Sequence, residues 1–550
     1  MPRRPSLSST ESEARFRQIF FAHLEADGYS EADAYRFIFK TPDLLHEPRL
    51  EKSGSEMLAE LRACYERQLP LAWFFEGLNR KPPLDAKLVE PPAKPATFIV
   101  FPGIFGEFVT QVPFQPIFAR DSIFRRKWRA ALARASDDSY SLVDMADQPC
   151  SLADLVPVAS VDQDGRSLLN VMALRINGGS LETLGSLAGN AAVFERRLAK
   201  VFEVVDDDSD IYLVGYSRGL AVALELVSTL HARTKSGTIS PASARWFERV
   251  RGVVSLAGVY YGSGFAGDVL AGNAGATSDL VKLLADTAHG LETVPEKATA
   301  RERLRVIRKN AQLWAALMKR MTAAKGLKLA AGRTFLGIDL ADALMRETKE
   351  RVRSRDAPLP NPAGIFSLVN NFFLETFRLE RFASRYNRNV LAFRQLVDAV
   401  ITGVESLTTP SRDAWWRTHE LPEDLVLFSL TGIMPEAYLG DLKSPLAEFD
   451  GFGAQTSDYN VSLRAGYYDT LASEGTLIND SQMSHFGSRY WEGMYAHHQY
   501  GHYYLGVLGT HHWGIALPFA IKDKAAIGGN AFPRETMLKS IASFIASFDR

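Results

Sequence analysis

Residues 211–230 read Ile-Tyr-Leu-Val-Gly-Tyr-Ser-Arg-Gly-Leu-Ala-Val-Ala-Leu-Glu-Leu-Val-Ser-Thr-Leu, and this order decides the fold. Ile211 to Val214 form an apolar run suited to a buried strand, and Leu220 to Leu230 are rich in helix formers. Between them stands Gly215-Tyr216-Ser217-Arg218-Gly219. A strand that becomes a helix over so few residues must bend sharply. The flanking glycines relieve crowding at such a bend, which leaves the Ser217 hydroxyl at its tip. The G-x-S-x-G pattern alone is weak, because a chain of 550 residues holds about 0.2 copies by chance at ordinary Gly and Ser usage. The apolar run before it and the helical segment after it carry the reading.

The alternation continues on both sides. Thr97-Phe98-Ile99-Val100-Phe101 is a second buried-strand run and ends in the glycine loop Pro102-Gly103-Ile104-Phe105-Gly106. Leu168 to Leu174 predicts a further strand, Asn190 to Val205 a helix with Val193, Leu198 and Val201 on one stripe, and Val250 to Leu256 another strand. Strands alternating with helices build parallel βαβ units. Near Tyr260 the alternation stops, and residues 259–420 read as mostly helical with a break at Pro358-Leu359-Pro360-Asn361-Pro362. Within them, Leu304, Ile307, Ala311, Trp314, Leu317 and Met321 keep helical spacing. Strand character returns at Leu425 to Leu430, and a last helix is expected over 534–547.

Residues 10–80 also read as helical. Ser9 or Thr10 is placed to cap a first helix in which Phe16, Ile19, Phe20, His23 and Leu24 recur every three or four residues. A second segment, Glu56 to Phe75, sets Leu58, Leu61, Ala63, Leu69 and Trp73 among charges. Five prolines between Pro82 and Pro95 then end the helices and make a semi-rigid connector. The expected organisation is a helical N-terminal region with a proline-rich linker (1–95), an α/β core in two parts (96–258 and 421–550), and a helical insertion between them (259–420).

Sixty-three Lys and Arg against 64 Asp and Glu give a net charge of -1, and 46% of residues are hydrophobic. That balance suits a large core, excludes a disordered chain and gives no ground for nucleic-acid binding through net charge. Two cysteines, Cys64 and Cys150, fit a reducing compartment. The opening MPRRPSLSSTESEARF lacks the apolar stretch of a secretory signal, and no apolar run reaches about 18 residues. A soluble, cytoplasmic chain is expected. The charge is unevenly spread, with 16 Lys and Arg against 5 Asp and Glu between Lys297 and Arg355.

Several ordered segments together resemble the α/β-hydrolase superfamily, its lipase and esterase branches in particular. Phe98 to Gly106 looks like that family's strand and oxyanion loop, and YLVGYSRG like its nucleophile elbow. VVSLAGVYYGSGFAGD, residues 253–268, is similar to a lipase strand and turn. Ile478-Asn479-Asp480-Ser481-Gln482-Met483 resembles the turn that carries the acid, and LGTHHWGIAL, residues 508–517, the loop that carries the histidine. The resemblance implies an α/β-hydrolase fold with a helical cap or lid formed by the insertion. It implies a triad of Ser217, Asp480 and His512, in the chain order known for this fold. It also implies an oxyanion hole from the backbone N–H groups of Ile104 and Arg218. This chain has Pro102 where many members have histidine, so Phe105 is a second choice for the loop donor. Ser481 replaces the usual glycine of the acid turn, which leaves Asp441 and Asp469 as rivals of Asp480.

Six of the 11 histidines fall between residues 485 and 513. His498 and His502 would share one face if their segment were helical, which could suit a metal. The tyrosines between them favour an aromatic wall, and neither a metal nor a cofactor is expected. The expected function is hydrolysis of carboxylic esters, lipid-like or otherwise hydrophobic, through an acyl-enzyme. The same residues would serve a thioesterase or an acyltransferase, and a non-catalytic lipid- or protein-binding scaffold is the alternative from another class. Expected partners are the ester substrate and, through the basic insertion, the surface of a membrane.

Overall fold

The computed structural model describes residues 7–30, 34, 37–41, 96–101, 103, 141–143, 169–175, 185–204, 209–272, 276–295, 297–323, 382–433, 480, 483, 485–492, 494, 495, 499–510, 512, 515 and 532–547. In chain order these hold α1 (Ser9–Ala26), β1 (Ile38–Phe39), β2 (Ala96–Phe101), β3 (Ser141–Val143), β4 (Leu169–Arg175), α2 (Leu187–Val204), β5 (Asp210–Tyr216) and α3 (Arg218–Lys235). There follow α4 (Pro241–Phe247), β6 (Val250–Leu256), α5 (Gly264–Ala271), α6 (Ala276–Gly290), α7 (Ala300–Ala323), α8 (Phe382–Glu405) and α9 (Thr409–Thr418). The last elements are β7 (Val426–Ile433), α10 (His485–Ser488), β8 (Gly501–Gly509) and α11 (Arg534–Ala546).

The strands form one eight-stranded sheet in the order β1-β8-β7-β6-β5-β2-β4-β3. Six neighbours, from β8 to β4, run parallel, and β1 and β3 close the two edges antiparallel. The central strands are apolar on both faces because both are covered. Along β2, Phe98 and Val100 point to the layer built by α1 and α11, while Ile99 and Phe101 point to the layer built by α2 and α3. This is the two-residue period of a strand read inside an unbroken apolar run.

The chain leaves β2 for β4 on one side and returns to build β5 to β8 on the other. Register pairs Val100 with Val214 and Phe101 with Gly215, so β2 and β5 end level. A parallel sheet opens a crevice at such a reversal, outside the carboxyl ends of its strands. Here the two ends are the Gly103 loop and the Ser217 turn.

Most of the expected core elements appear within one to three residues of their expected ends. Three expectations are corrected. The cap of α1 is Ser8, with Ser9 and Thr10 inside the first turn. Ser8 Oγ accepts from Glu11 N at 3.3 Å while Glu11 Oε2 accepts from Ser8 N at 2.7 Å, a capping box that the Ser8-Ser9-Thr10-Glu11 spacing encodes. Residues 38–39, inside a stretch expected to be helical, are a strand because Ile38 and Phe39 pair with Leu508 and Val507 of β8. His502 lies on a strand, so the helical face that would have joined it to His498 does not exist. His498, the 56–75 segment, the proline connector and residues 324–381 of the insertion, with the break at 358–362, lie outside the described residues.

The first helix is built into the core. Phe16 and Phe20 are fully buried, Phe16 meets Phe544 of α11 edge to face at 6.0 Å, and Ser12 Oγ donates to Tyr504 O of β8 at 2.8 Å. Among the described residues, five helices, α5 to α9, lie between the carboxyl end of β6 and the return of the chain as β7. The last of them is anchored by aromatic packing: Trp416 is buried against Tyr260 and Tyr261, and its Nε1 donates to Tyr260 O at 2.7 Å.

Candidate active site

Ser217 stands where β5 becomes α3, with φ 53° and ψ -126°. Among the described residues, Ser217 and Ala257 alone combine a side chain with positive φ, and both sit at the carboxyl edge of the sheet. Such conformations cost of order 1 to 3 kcal/mol and persist only where surrounding contacts enforce them. The contacts are visible. Ser217 N donates to Leu256 O at 3.2 Å, and Ser217 O accepts from Leu220 N at 3.2 Å and Val259 N at 3.1 Å. The bend is so tight that a Cβ on Gly215 would lie 2.3 Å from Leu220 Cα. A Cβ on Gly103, in the loop after β2, would lie 3.2 Å from Ser217 Cβ, so that loop rests directly on the serine.

Asp480 and His512 come together on the same edge, beyond β7 and β8. His512 Nδ1 and Asp480 Oδ2 are 2.8 Å apart, and His512 N donates to Asp480 O at 2.8 Å. Asp480 Oδ1 accepts from Met483 N at 2.7 Å, and Asp480 N donates to Met483 O at 3.1 Å, which closes the turn around the carboxylate. Gly432, near the end of β7, is where the acid rests: a Cβ there would lie 3.0 Å from Asp480 Cβ. Both side chains are almost wholly buried. A buried carboxylate bonded to Nδ1–H holds the imidazole in one tautomer and one orientation, which leaves Nε2 as the acceptor.

His512 Nε2 is buried and has no hydrogen-bond partner among the described residues, and Ser217 Oγ shares no hydrogen bond with it. The other described histidines of the cluster are occupied. His485 uses Nδ1 with Thr431 Oγ1 at 3.0 Å and Nε2 with Tyr504 Oη at 3.4 Å. His502 Nε2 meets Ser429 Oγ at 2.9 Å, and burial, helped by the charge of Arg489, holds its pKa well below the ordinary range. Among the described residues no three His, Cys, Asp or Glu side chains gather closely enough to hold a metal ion.

Arg218 supplies the first N–H of α3, where helical amides lack an intrahelical acceptor. Its side chain is buried and turned away to donate to Gly185 O. Ile104, Phe105, Pro102, Asp441, Asp469 and His511 lie outside the described residues. Tyr216 is a participant that sequence reasoning missed. Its hydroxyl donates to His512 O at 3.0 Å, and its ring centroid is 5.1 Å from that of His512. The available signal was its place in the motif, beside the serine.

A mostly parallel α/β sheet, a strained serine at its strand-to-helix bend and a buried Asp–His pair on the same edge are the features in which the chain resembles the α/β-hydrolase superfamily. No family model and no curated protein matches the sequence. Among solved structures the chain is similar to a metagenomic carboxyl esterase, with 14% identity, 97% of this chain and 91% of that one covered, and a TM-score of 0.39. It is also similar to the mature lipase BlEst2 of Bacillus licheniformis, with 12% identity, 78% and 89% covered, and a TM-score of 0.25.

Proposed function

We propose that the chain is a serine hydrolase that cleaves carboxylic esters through an acyl-enzyme. The observation that carries this is the orphaned His512 Nε2, buried and oriented by Asp480 on the sheet edge that holds the strained Ser217. Leaving a buried acceptor unpaired costs of order 1 to 3 kcal/mol, so its retention points to a role in binding a proton.

In the first half-reaction Ser217 Oγ bonds to the acyl carbon while its proton passes to His512 Nε2. The tetrahedral oxyanion takes hydrogen bonds from the Arg218 N–H and from the loop after β2, with Ile104 the assigned donor. Collapse breaks the bond to the alcohol oxygen, which leaves with the proton from Nε2. Water then attacks the acyl carbon, its proton goes to Nε2 and on to Ser217 Oγ, and the acid is released. Asp480 stabilises the imidazolium in both halves without taking the proton. No cofactor enters this scheme. Thioester cleavage and acyl transfer would use the same residues and differ in the leaving group or acceptor.

A hydrophobic or lipid-like acyl ester is the proposed substrate class, with helices α5 to α9 as a cap beyond β6. Exposed Arg301, Arg305 and Arg308 surround exposed Leu304 on α7, which supports contact with an anionic lipid surface. A fluorophosphonate probe should label the wild type and spare Ser217→Ala. Labelling that persists in the variant overturns the assignment.

The missing hydrogen bond between Ser217 and His512 favours a second reading, a hydrolase-like scaffold that binds a lipid or protein without turnover. That reading expects inertness toward short- and long-chain nitrophenyl esters. Hydrolysis that disappears in His512→Ala rejects it.

A further inference from the structure

The geometry points to Tyr216 as the positioning residue that ties the base to the nucleophile. This inference rests on the reading of Ser217 and His512 given above. Tyr216 is the last residue of β5, and the following residue is the serine. Its hydroxyl donates to the backbone carbonyl of His512 at 3.0 Å, and its ring lies against the imidazole at a 5.1 Å centroid separation and 32° tilt. The opposite requirement, contact with the loop after β2, is met by the same ring. A Cβ on Gly103 would lie 3.2 Å from both Tyr216 Cδ1 and Cε1. One buried side chain therefore touches the backbone and ring of the base and the loop that rests on the serine.

The need for such a tie follows from the chain. Ser217 and His512 follow strands β5 and β8, which are separated in the sheet by β6 and β7, and their own side chains share no hydrogen bond. Asp480 fixes the rotation of the imidazole but belongs to the same side of the sheet as the base, beyond β7. The Tyr216 hydroxyl crosses from the serine's own strand to the histidine's backbone. Burial, followed by the negative charge of Asp480, holds the phenol well above its ordinary pKa, so it remains a neutral O–H donor wherever the site works. Misplacing reacting groups by about 1 Å lowers rates by up to roughly 100-fold, and a single lost tether falls short of that limit.

The test is Tyr216→Phe, which removes one oxygen and keeps the ring against Gly103 and the imidazole. Hydrolysis of 4-nitrophenyl butyrate should show kcat down about tenfold with KM unchanged, and fluorophosphonate labelling should slow by the same factor. The thermal unfolding midpoint controls for a general loss of stability. The downfield proton resonance of His512 Nδ1, followed by NMR, should broaden or shift in the variant. Wild-type kcat and labelling in Tyr216→Phe, or an unmoved His512 resonance, overturns the positioning role while leaving Ser217 as nucleophile. Failure of the wild type itself to label overturns the hydrolase reading instead, and the NMR comparison still decides whether Tyr216 holds the ring.

Discussion

Asp480→Asn is the sharpest perturbation of the proposed chemistry, because the structure dictates how the new amide must sit. Asp480 has two oxygen positions with different neighbours: Oδ1 accepts from Met483 N at 2.7 Å, and Oδ2 faces His512 Nδ1 at 2.8 Å. Only one atom of an asparagine amide is an acceptor. The Met483 N–H cannot rotate away, so the amide oxygen takes the Oδ1 position and the NH2 faces Nδ1. The imidazole must then accept at Nδ1, which moves its proton to Nε2. With Nε2 protonated, the ring cannot take the proton of Ser217. Loss of the correct tautomer in a serine triad costs about 10,000-fold in kcat, or about 5 kcal/mol of transition-state stabilisation. The assay is hydrolysis of a nitrophenyl ester by wild type and variant, with circular dichroism to show that the fold is intact. A folded Asp480→Asn protein within tenfold of wild type would refute the reasoning. Asp480 would then be a structural carboxylate, with Asp441 or Asp469 the next to replace.

Two further perturbations address the fold. Gly215→Ala places a Cβ 2.3 Å from Leu220 Cα, and a backbone atom cannot step aside as a side-chain tip can. We expect a loss of about 3 kcal/mol or more in urea unfolding together with lost fluorophosphonate labelling, and a wild-type midpoint would show that the bend is looser than described. His23 is buried with Nε2 2.9 Å from Ser543 Oγ, and burial lowers its pKa to about 4, opposed by Asp27 and aided by Lys539. Its folded pKa lies below the unfolded value, so the unfolded chain binds the extra proton first as pH falls. The stability it contributes is present above about pH 6.5 and is lost between there and about pH 4, by roughly 3 kcal/mol in total. Unfolding free energies measured across that window should fall for the wild type and flatten for His23→Gln, and equal slopes would remove His23 as the cause.

The legible parts of the sequence were those whose local pattern and tertiary role agree. Ile211 to Val214 is apolar because β5 is covered on both faces, and the glycine at 215 is needed for a contact only five residues along the chain, to Leu220. β8 was not legible. Gly501 to Gly509 mixes tyrosine, histidine and glycine, and its strand state comes from pairing with β7 across a bulge between Ser429 and Leu430. β1 is two residues long and exists only because β8 offers an open edge. At the site, Ser217 announced itself through its neighbours in the chain. Asp480 and His512 were reached only through resemblance, since no spacing rule links a turn at 480 to a loop 32 residues on. The Met483 and Tyr216 contacts depend on where the two loops end up, which no local pattern encodes.

The position of α1 has a consequence for how the protein is made. Its partners are Tyr504 of β8, 492 residues after Ser12, and Ser543 of α11, 520 residues after His23. At the usual synthesis rate of about 5 to 20 residues per second, the helix waits roughly 25 to 100 s for the surface it will cover. Throughout that interval Phe16, Phe20 and Phe21 remain an uncovered, sticky stripe on the nascent chain. The last of the described strands, β8, therefore both leads into the loop of His512 and covers α1, so the candidate site and a shielded α1 arrive in the same late event.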